Sequence, residues 1–365
     1  MILPKLELVD LKKEFADGSV AAVDGVDLVV TAGETVALLG PSGCGKSTTL
    51  NMIVGLEEPT AGDILIDGIS VIGTPAGSRN VGLVFQDYAV FSHMSVRENL
   101  EFGLRVRRQS KKEIARAVGQ VAELLDMTAR LDARAGDLGG SELQRVAIGR
   151  TLVTQPSILL LDEPLSNLEA GARLTMRREL RRLQAEIGIT IIYVTHDQIE
   201  ALSLADRIAV MNAGKIRQVE QTSVICERPE HVFVASFLGS PPMNLLRGRL
   251  FARDDGTAFE QGGLVVPMGK HIVTRQVPFD QAVVLGVRPE ALHLVSARGA
   301  SMVGKVVIVE PRGPEAVLTI ETGAANLKAV APTFERPDEG DIVGLAVDPA
   351  TLVLFSGETG RRLDV

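Results

Sequence analysis

Residues Gly40, Pro41, Ser42, Gly43, Cys44, Gly45, Lys46, Ser47 and Thr48 fit the pattern G-x-x-x-x-G-K-[ST]. They follow the apolar run VALLG and open the helix-like text STTLNMIVGL. Glycines let backbone amides curl around an anion, and a helix start adds the positive end of its dipole. Lys46 is then placed to reach the β and γ phosphates of a nucleotide, and the Ser47 hydroxyl to ligate magnesium. A plain glycine-rich turn is the competing reading, and a strand before with a helix after weighs against it. Cys44 lies inside the loop, where the helix start and Lys46 are expected to lower its thiol pKa. An ordinary buried cysteine is the alternative.

A second set of groups suits the same chemistry. In ILLLDEP, Asp162 and Glu163 end a very apolar run. Asp162 can hold magnesium directly or through water, and Glu163 can accept a proton from water attacking the γ phosphate. In TIIYVTHD, His196 stands where it could touch that phosphate, or it is only a neighbour of a helix cap. Gln86, after VGLVF, is an amide suited to sensing magnesium or water, or a polar loop residue.

Such residues need strands to hold them. From residue 1 to about 235, β-type runs alternate with helical stretches, an α/β signature. The runs Ile158 to Leu161 and Ile189 to Val194 lack polar alternation, so they read as central parallel strands covered on both faces, with ligands gathered at their carboxyl ends. Between about residues 95 and 154 the apolar spacing turns helical, which reads as a helical insertion. The basic run RRELRR at 177–182 alternates with Leu174, Leu180 and Leu183, so it reads as a solvated helix face rather than an RNA patch. Beyond the breaker-rich LGSPPMN, residues 236–365 carry short β-rich runs split by Gly and Pro, an all-β domain.

Composition narrows the function classes. With 365 residues, 45% hydrophobic and 23% charged, the chain is globular and long enough for two or three domains. No stretch approaches the roughly 18 apolar residues that span a bilayer. The start MILPKLELVD does not read as a secretory signal, and neither end resembles a lipid anchor, so the cytosol is expected. Two cysteines, Cys44 and Cys226, supply neither a disulfide framework nor a thiolate zinc site. A net charge of −8, no Trp and only two Tyr argue against nucleic acid as a partner.

Taken in order, GPSGCGKST, FQDY, LQRVAIGR, ILLLDEP, LSNLEA and THDQ resemble the Walker A, Q-loop, signature-tail, Walker B, D-loop and histidine-switch motifs of ABC transporter ATP-binding subunits. The branch resembled serves sugar, polyol and glycerol-phosphate importers and is of the maltose-transporter type. The resemblance covers nearly the whole chain. It implies a P-loop NTPase domain with a RecA-like core and a helical subdomain over residues 1–235. A regulatory domain of small OB-like barrels (TOBE type) would follow over 236–365, where GVRPEAL and LFSGETGRRL are similar to the family's text. It also implies ATP and Mg2+ as cofactors, with Ser47, Gln86 and Asp162 on the metal, Glu163, His196 and Gln86 in hydrolysis, and Phe15 of LKKEFADG stacking on adenine unless it is a core phenylalanine. In that family two subunits join head to tail, and the signature motif of one contacts the ATP of the other.

The chain departs from the family at that contact. Where the family reads LSGGQ, this sequence has Leu138, Gly139, Gly140, Ser141 and Glu142. The lost serine hydroxyl removes a hydrogen bond to a charged phosphate worth about 1.5–3 kcal/mol. A carboxylate at Glu142, if it came within about 4 Å of a phosphate charge, would cost about 4 kcal/mol at an effective dielectric of 20, unless its side chain turns away. Ser141 and the amides of Gly139 and Gly140 offer partial replacement. In the D-loop, Glu169 stands where the family usually has Asp.

These departures lead to the expectation of a heterodimer, in which a second ATPase subunit supplies an intact signature, rather than a homodimer. The resemblance further implies permease subunits docking a short helix near Tyr88 to Met94, a solute-binding protein outside the membrane acting indirectly, and a peripheral place on the cytoplasmic face of a bacterial inner membrane. The alternatives are a regulatory subunit with weak turnover and the ATPase of a polyamine, sulfate or iron importer.

Overall fold

Apolar runs without polar alternation become the centre of the main sheet. The structure, a computed structural model, describes residues 3–15, 21–253, 256–269, 281–298, 300 and 302–363. Its contacts divide the chain into two units, Met1–Ile225 and Cys226–Val365.

The first unit runs β1 (Leu6–Lys13), β2 (Val23–Val30), β3 (Thr35–Leu39), α1 (Lys46–Val54), β4 (Ala61–Ile66), β5 (Ile69–Ser70), β6 (Val81–Val84), α2 (Val96–Val106), α3 (Lys111–Leu124), α4 (Gly140–Leu152), β7 (Ile158–Asp162), α5 (Ala170–Ile187), β8 (Thr190–Thr195), α6 (Gln198–Leu204), β9 (Arg207–Asn212), β10 (Lys215–Gln221) and α7 (Thr222–Ile225). A six-stranded sheet takes the order β10-β9-β3-β8-β7-β6, and a four-stranded antiparallel sheet the order β2-β1-β4-β5. From β9 to β6 the six-stranded sheet is parallel. All residues of β3 and β8 are buried, as strands covered on both faces must be. One apolar core joins Val36, Leu38, Leu160, Ile192 and Met211 to Leu6, Leu8 and Leu11 of the smaller sheet. Each such side chain contributes about 1.5–3 kcal/mol by leaving water.

Register places the chemistry. Leu39 pairs with Thr195, Val194 with Asp162, and Leu161 with Val84. The carboxyl ends of β3, β8, β7 and β6 are therefore level, and neighbouring strands lie about 4.8 Å apart. Whatever follows each strand arrives at one edge.

Helices α2, α3 and α4 occupy the segment expected to be helical. Ser95 and Ser110 cap α2 and α3, each in a box with the glutamate three residues on, Glu98 and Glu113. On α5, Met176, Leu180 and Leu183 face inward and the basic run lies mostly outward, whereas Leu174, grouped with the leucines by spacing, is exposed.

The second unit begins at Cys226, earlier than the junction at 235/236 read from the sequence. Its helix Val232–Phe237 buries Ala235 against Met243, Val284, Val353 and Phe355, so this segment packs with the β-rich part. Two five-stranded sheets share one core that includes Phe259, Leu285, Leu318 and Leu345. The Asn244 amide joins them, donating to Lys328 O at 2.8 Å and accepting from Lys328 N–H at 2.7 Å.

Candidate functional site

The loop from Gly40 to Gly45 turns between β3 and α1. Gly45 has φ 103°, and a Cβ there would lie 2.3 Å from Ala22 O; a Cβ at Gly40 would lie 2.3 Å from Met211 O. Both positions require glycine because neighbouring backbone closes on them. Lys46 is buried, and its Nζ donates to Gly40 O at 2.8 Å and Pro41 O at 2.9 Å, which holds the ammonium against the loop. Thr49 Oγ1 donates back to Gly45 O at 2.9 Å and tightens the first turn of α1.

Cys44 corrects a sequence expectation. Its thiol pKa is raised, chiefly by burial, which outweighs the lowering by nearby Lys46. The side chain is 3% exposed and belongs to the apolar core. A buried thiol loses more from desolvating its thiolate than one lysine, itself bonded to carbonyls, returns.

The remaining groups converge on the next strand ends. Ser47 Oγ donates to Asp162 Oδ1 at 3.1 Å across 115 residues of sequence. The Asp162 carboxyl pKa is raised, first by burial and then by Glu163, against the lowering by Ser47 and Lys46. Glu163 has φ 46°, a left-handed conformation that costs a non-glycine residue about 1 kcal/mol and more. The turn it makes, with Glu163 N–H donating to Val194 O at 3.0 Å, takes its side chain out of the strand line. Glu163 Oε2 accepts from Gln86 Nε2 at 3.3 Å, and Glu163 Oε1 lies 3.1 Å from His196 Nδ1. The structure thus brings Ser47, Asp162, Glu163, Gln86 and His196 into one linked set.

Hard oxygen donors suit magnesium. The Ser47 hydroxyl and Asp162 carboxylate, already 3.1 Å apart, meet that requirement, and the Gln86 side chain reaches the adjacent Glu163. The residues present fit the ion.

Several residues not singled out in the sequence complete the site. Asn167 Nδ2 donates to Gln86 O at 2.7 Å, and Ser166 Oγ lies 3.4 Å from Gln86 Nε2, so the loop after Glu163 holds the one after β6. Arg173 Nε donates to Leu168 O at 2.7 Å. Arg150 donates to Ala89 O and lies over the Phe91 ring at 4.4 Å. With Phe85, Tyr88, Phe102 and Ala147 it lines a groove beside Gln86. Asn167 and Ser166 stand inside the quoted LSNLEA, but their partners are tens of residues away and leave no local signal.

Phe15 is 44% exposed, with Lys13 Nζ 5.1 Å from its ring centroid, so it is no core phenylalanine. Glu169 occupies the N-cap of α5 without a side-chain bond to the helix, a bond that the shorter aspartate makes more readily.

At the start of α4, Gly139 is the N-cap, Gly139 and Gly140 are exposed, and Ser141 is half-buried. Glu142 turns back on its own helix. Its Oε2 accepts from Gly139 N–H at 3.2 Å, and its Oε1 pairs with Arg130 Nε at 2.9 Å. The Glu142 carboxylate is therefore a paired one. Arg130 cancels most of the charge that would repel a phosphate, because a cation at contact distance makes the pair nearly dipolar.

Comparison with known proteins gives the same outline. Residues 23–166 match the family described as ABC transporter, residues 239–292 the MalK OB fold domain and residues 285–355 the TOBE domain. The chain is 43% identical to the alpha-glucoside transport ATP-binding protein of Rhizobium meliloti (strain 1021), covering 96% of this chain and 97% of the relative. It is 40% identical to the sulfoquinovosyl glycerol transport ATP-binding protein of Agrobacterium fabrum, covering 95% and 96%. It is 42% identical to the sn-glycerol-3-phosphate import ATP-binding protein of Cereibacter sphaeroides, covering 99% and 100%. Among solved structures, cbiO1 from Clostridium perfringens, part of the transporter complex cbiONQ, superposes with a TM-score of 0.57 at 29% identity over 60% of this chain and 89% of that one.

Proposed function

Since this chain belongs to the ATP-binding subunits of ABC transporters, we propose that it powers import of a carbohydrate, polyol or glycerol-phosphate type solute, hydrolysing ATP at the Glu163 site. The observation that carries the site assignment is the Glu163 carboxylate, met on one oxygen by Gln86 and on the other by His196, beside Ser47 and Asp162. The names of relatives that transport glycosides and glycerol phosphate support the solute class.

Each residue then has a task. The backbone N–H groups of the loop from Gly40 to Thr48, of which Pro41 has none, and the start of α1 bind the phosphates, with Lys46 supplying charge. Exposed Phe15 offers a face for adenine stacking. Ser47 and Asp162, with Gln86, would hold Mg2+, which would supply positive charge to offset that of the phosphates. Glu163 takes a proton from the attacking water, and His196, in contact with Glu163, orients it toward the γ phosphate. A strained backbone at Glu163 fits a group whose position matters more than its comfort.

The subunit works as one of a pair and, lacking any helix among its described residues long and apolar enough to cross a membrane, relies on permease subunits for the passage itself. The groove lined by Phe85, Tyr88, Phe102 and Arg150 receives a permease helix. A solute-binding protein is an indirect partner, nucleic acid is none, and the site of action is the cytoplasmic face of a bacterial inner membrane. Gly139, which leaves the exposed start of α4 without a serine hydroxyl, favours a heterodimer with a second ATPase subunit carrying that hydroxyl. Copurification with a distinct ATPase supports the heterodimer, and robust turnover by this chain alone overturns it.

Replacing Glu163 by Gln keeps the shape and removes the base, so turnover should fall about a hundredfold or more. An unchanged rate in Glu163→Gln removes Glu163 from that role.

A further inference from the structure

His196 lies in the short link between β8 and α6, and the residues on both sides of it are tied to a buried carboxyl outside the linked set of Ser47, Asp162, Glu163, Gln86 and His196. Thr195 and Glu200 are 2% and 5% exposed. Thr195 Oγ1 donates its proton to Glu200 Oε2 at 2.8 Å and accepts Asp197 N–H at 3.0 Å. Asp197 Oδ1 accepts from the N–H groups of Ile199 and Glu200 at 2.8 and 3.2 Å. The Tyr193 hydroxyl lies 3.2 Å from the carbonyl oxygens of Glu200 and Ala201, which pins the same helix turn to β8. Glu200 Oε1 has no hydrogen-bond partner among the described residues. A half-satisfied buried carboxyl is unfavourable by itself and calls for a reason.

A hydroxyl has one proton and two lone pairs. When the carboxylate takes the Thr195 proton, the oxygen must face Asp197 N–H as acceptor. A neutral acid or amide at position 200 can donate instead, which turns the Thr195 proton elsewhere and into competition with that N–H.

We propose that Glu200 is a positioning residue for ATP hydrolysis: by accepting the hydrogen bond from the Thr195 hydroxyl it fixes the Thr195–Asp197 clamp around His196 and so holds the imidazole against Glu163. The inference rests on the ATPase reading of the Glu163 site. The clamp is pH-sensitive. Burial raises the Glu200 pKa to about 7, opposed by the Thr195 hydroxyl and Arg177 and reinforced by Asp197 and Glu163. The Tyr193 hydroxyl, whose own pKa is raised by burial and by Glu200, also lies beside it. Above that pH the carboxylate is ionised and the clamp closed; below it the acid is protonated and the hydroxyl is free to turn.

The test uses the full chain in its ATPase assembly, as wild type, Glu200→Gln, Thr195→Val, Thr195→Ser and the Glu200→Gln/Thr195→Val double variant. ATP binding, kcat, KM and Tm are measured from about pH 6 to about pH 8.5. Glu200→Gln and Thr195→Val should each lower kcat about fivefold at the alkaline end with KM within about twofold, and together no more than the worse single. Thr195→Ser should retain wild-type kcat. Glu200→Gln should also flatten the rise of kcat through neutrality without lowering Tm, since it removes a buried charge. Unchanged kcat in both single variants overturns the proposal, as does multiplication of their losses in the double variant. So does a Glu200→Gln loss that follows a fall in Tm. Absence of Mg-ATP binding by the wild type overturns the ATPase reading, and this inference with it.

Discussion

The strand-end site and the start of α4 are built by opposite means. At the strand ends, buried strands in fixed register deliver Lys46, Asp162, Glu163 and His196 to one edge, and a shift in one strand would displace the group proposed for catalysis at its end. At the start of α4, exposed glycines and a surface pair, Arg130 with Glu142, do the work. A buried framework leaves little freedom to change residues singly, because each is held by core packing as well as by its chemistry. An exposed helix end tolerates Gly139 and Glu142, because the consequences are local and one arginine can offset a carboxylate. The side chains proposed to bind and split ATP, Phe15 apart, stand at the first surface, and the departures from the resembled motifs fall at the start of α4 and at Glu169 before α5.

The largest expected effect breaks the first surface. Lys46→Ala removes the cation held over the phosphate loop, and ATP affinity should fall about a hundredfold or more in calorimetry, since a charge-assisted bond in a buried setting is lost. Affinity within twofold of wild type would mean that the loop does not bind the triphosphate as described.

An intermediate effect repairs the second surface. A Cβ at Gly139 meets nothing within 4 Å, and the residue has ordinary extended dihedrals, φ −72° and ψ 164°. Gly139→Ser therefore fits without strain and restores a hydroxyl that doubles as an N-cap. ATP-dependent association of this chain with itself, followed by light scattering, should strengthen at least about tenfold, since each restored charge-assisted bond contributes about 1.5–3 kcal/mol. No gain would show that the missing hydroxyl is not what limits pairing.

The smallest effects sharpen the contrast. Arg130→Ala should weaken the same association only about threefold, because the arginine is 57% exposed and surface pairs contribute about 0–1 kcal/mol. Adding Glu142→Gln should restore it; failure to do so would mean that Arg130 acts other than by pairing with Glu142.

The sequence by itself determined which residue types stand where: the phosphate loop before a helix, the acidic pair closing an apolar run, the histidine after the next. These are local patterns, and a strand without polar alternation declares its burial in its own letters. Leu174 shows the limit of such spacing, since it shares the period of its neighbours yet faces solvent. Only the tertiary structure decided what each group meets. Gln86 reaches Glu163 across 77 residues and Ser47 reaches Asp162 across 115. The Cys44 thiol pKa is raised rather than lowered because burial outweighs a nearby lysine. Glu142 is paired because an arginine from a preceding turn comes within 2.9 Å. Pairing and desolvation depend on distances through space, and a chain's own order does not state those until it has folded.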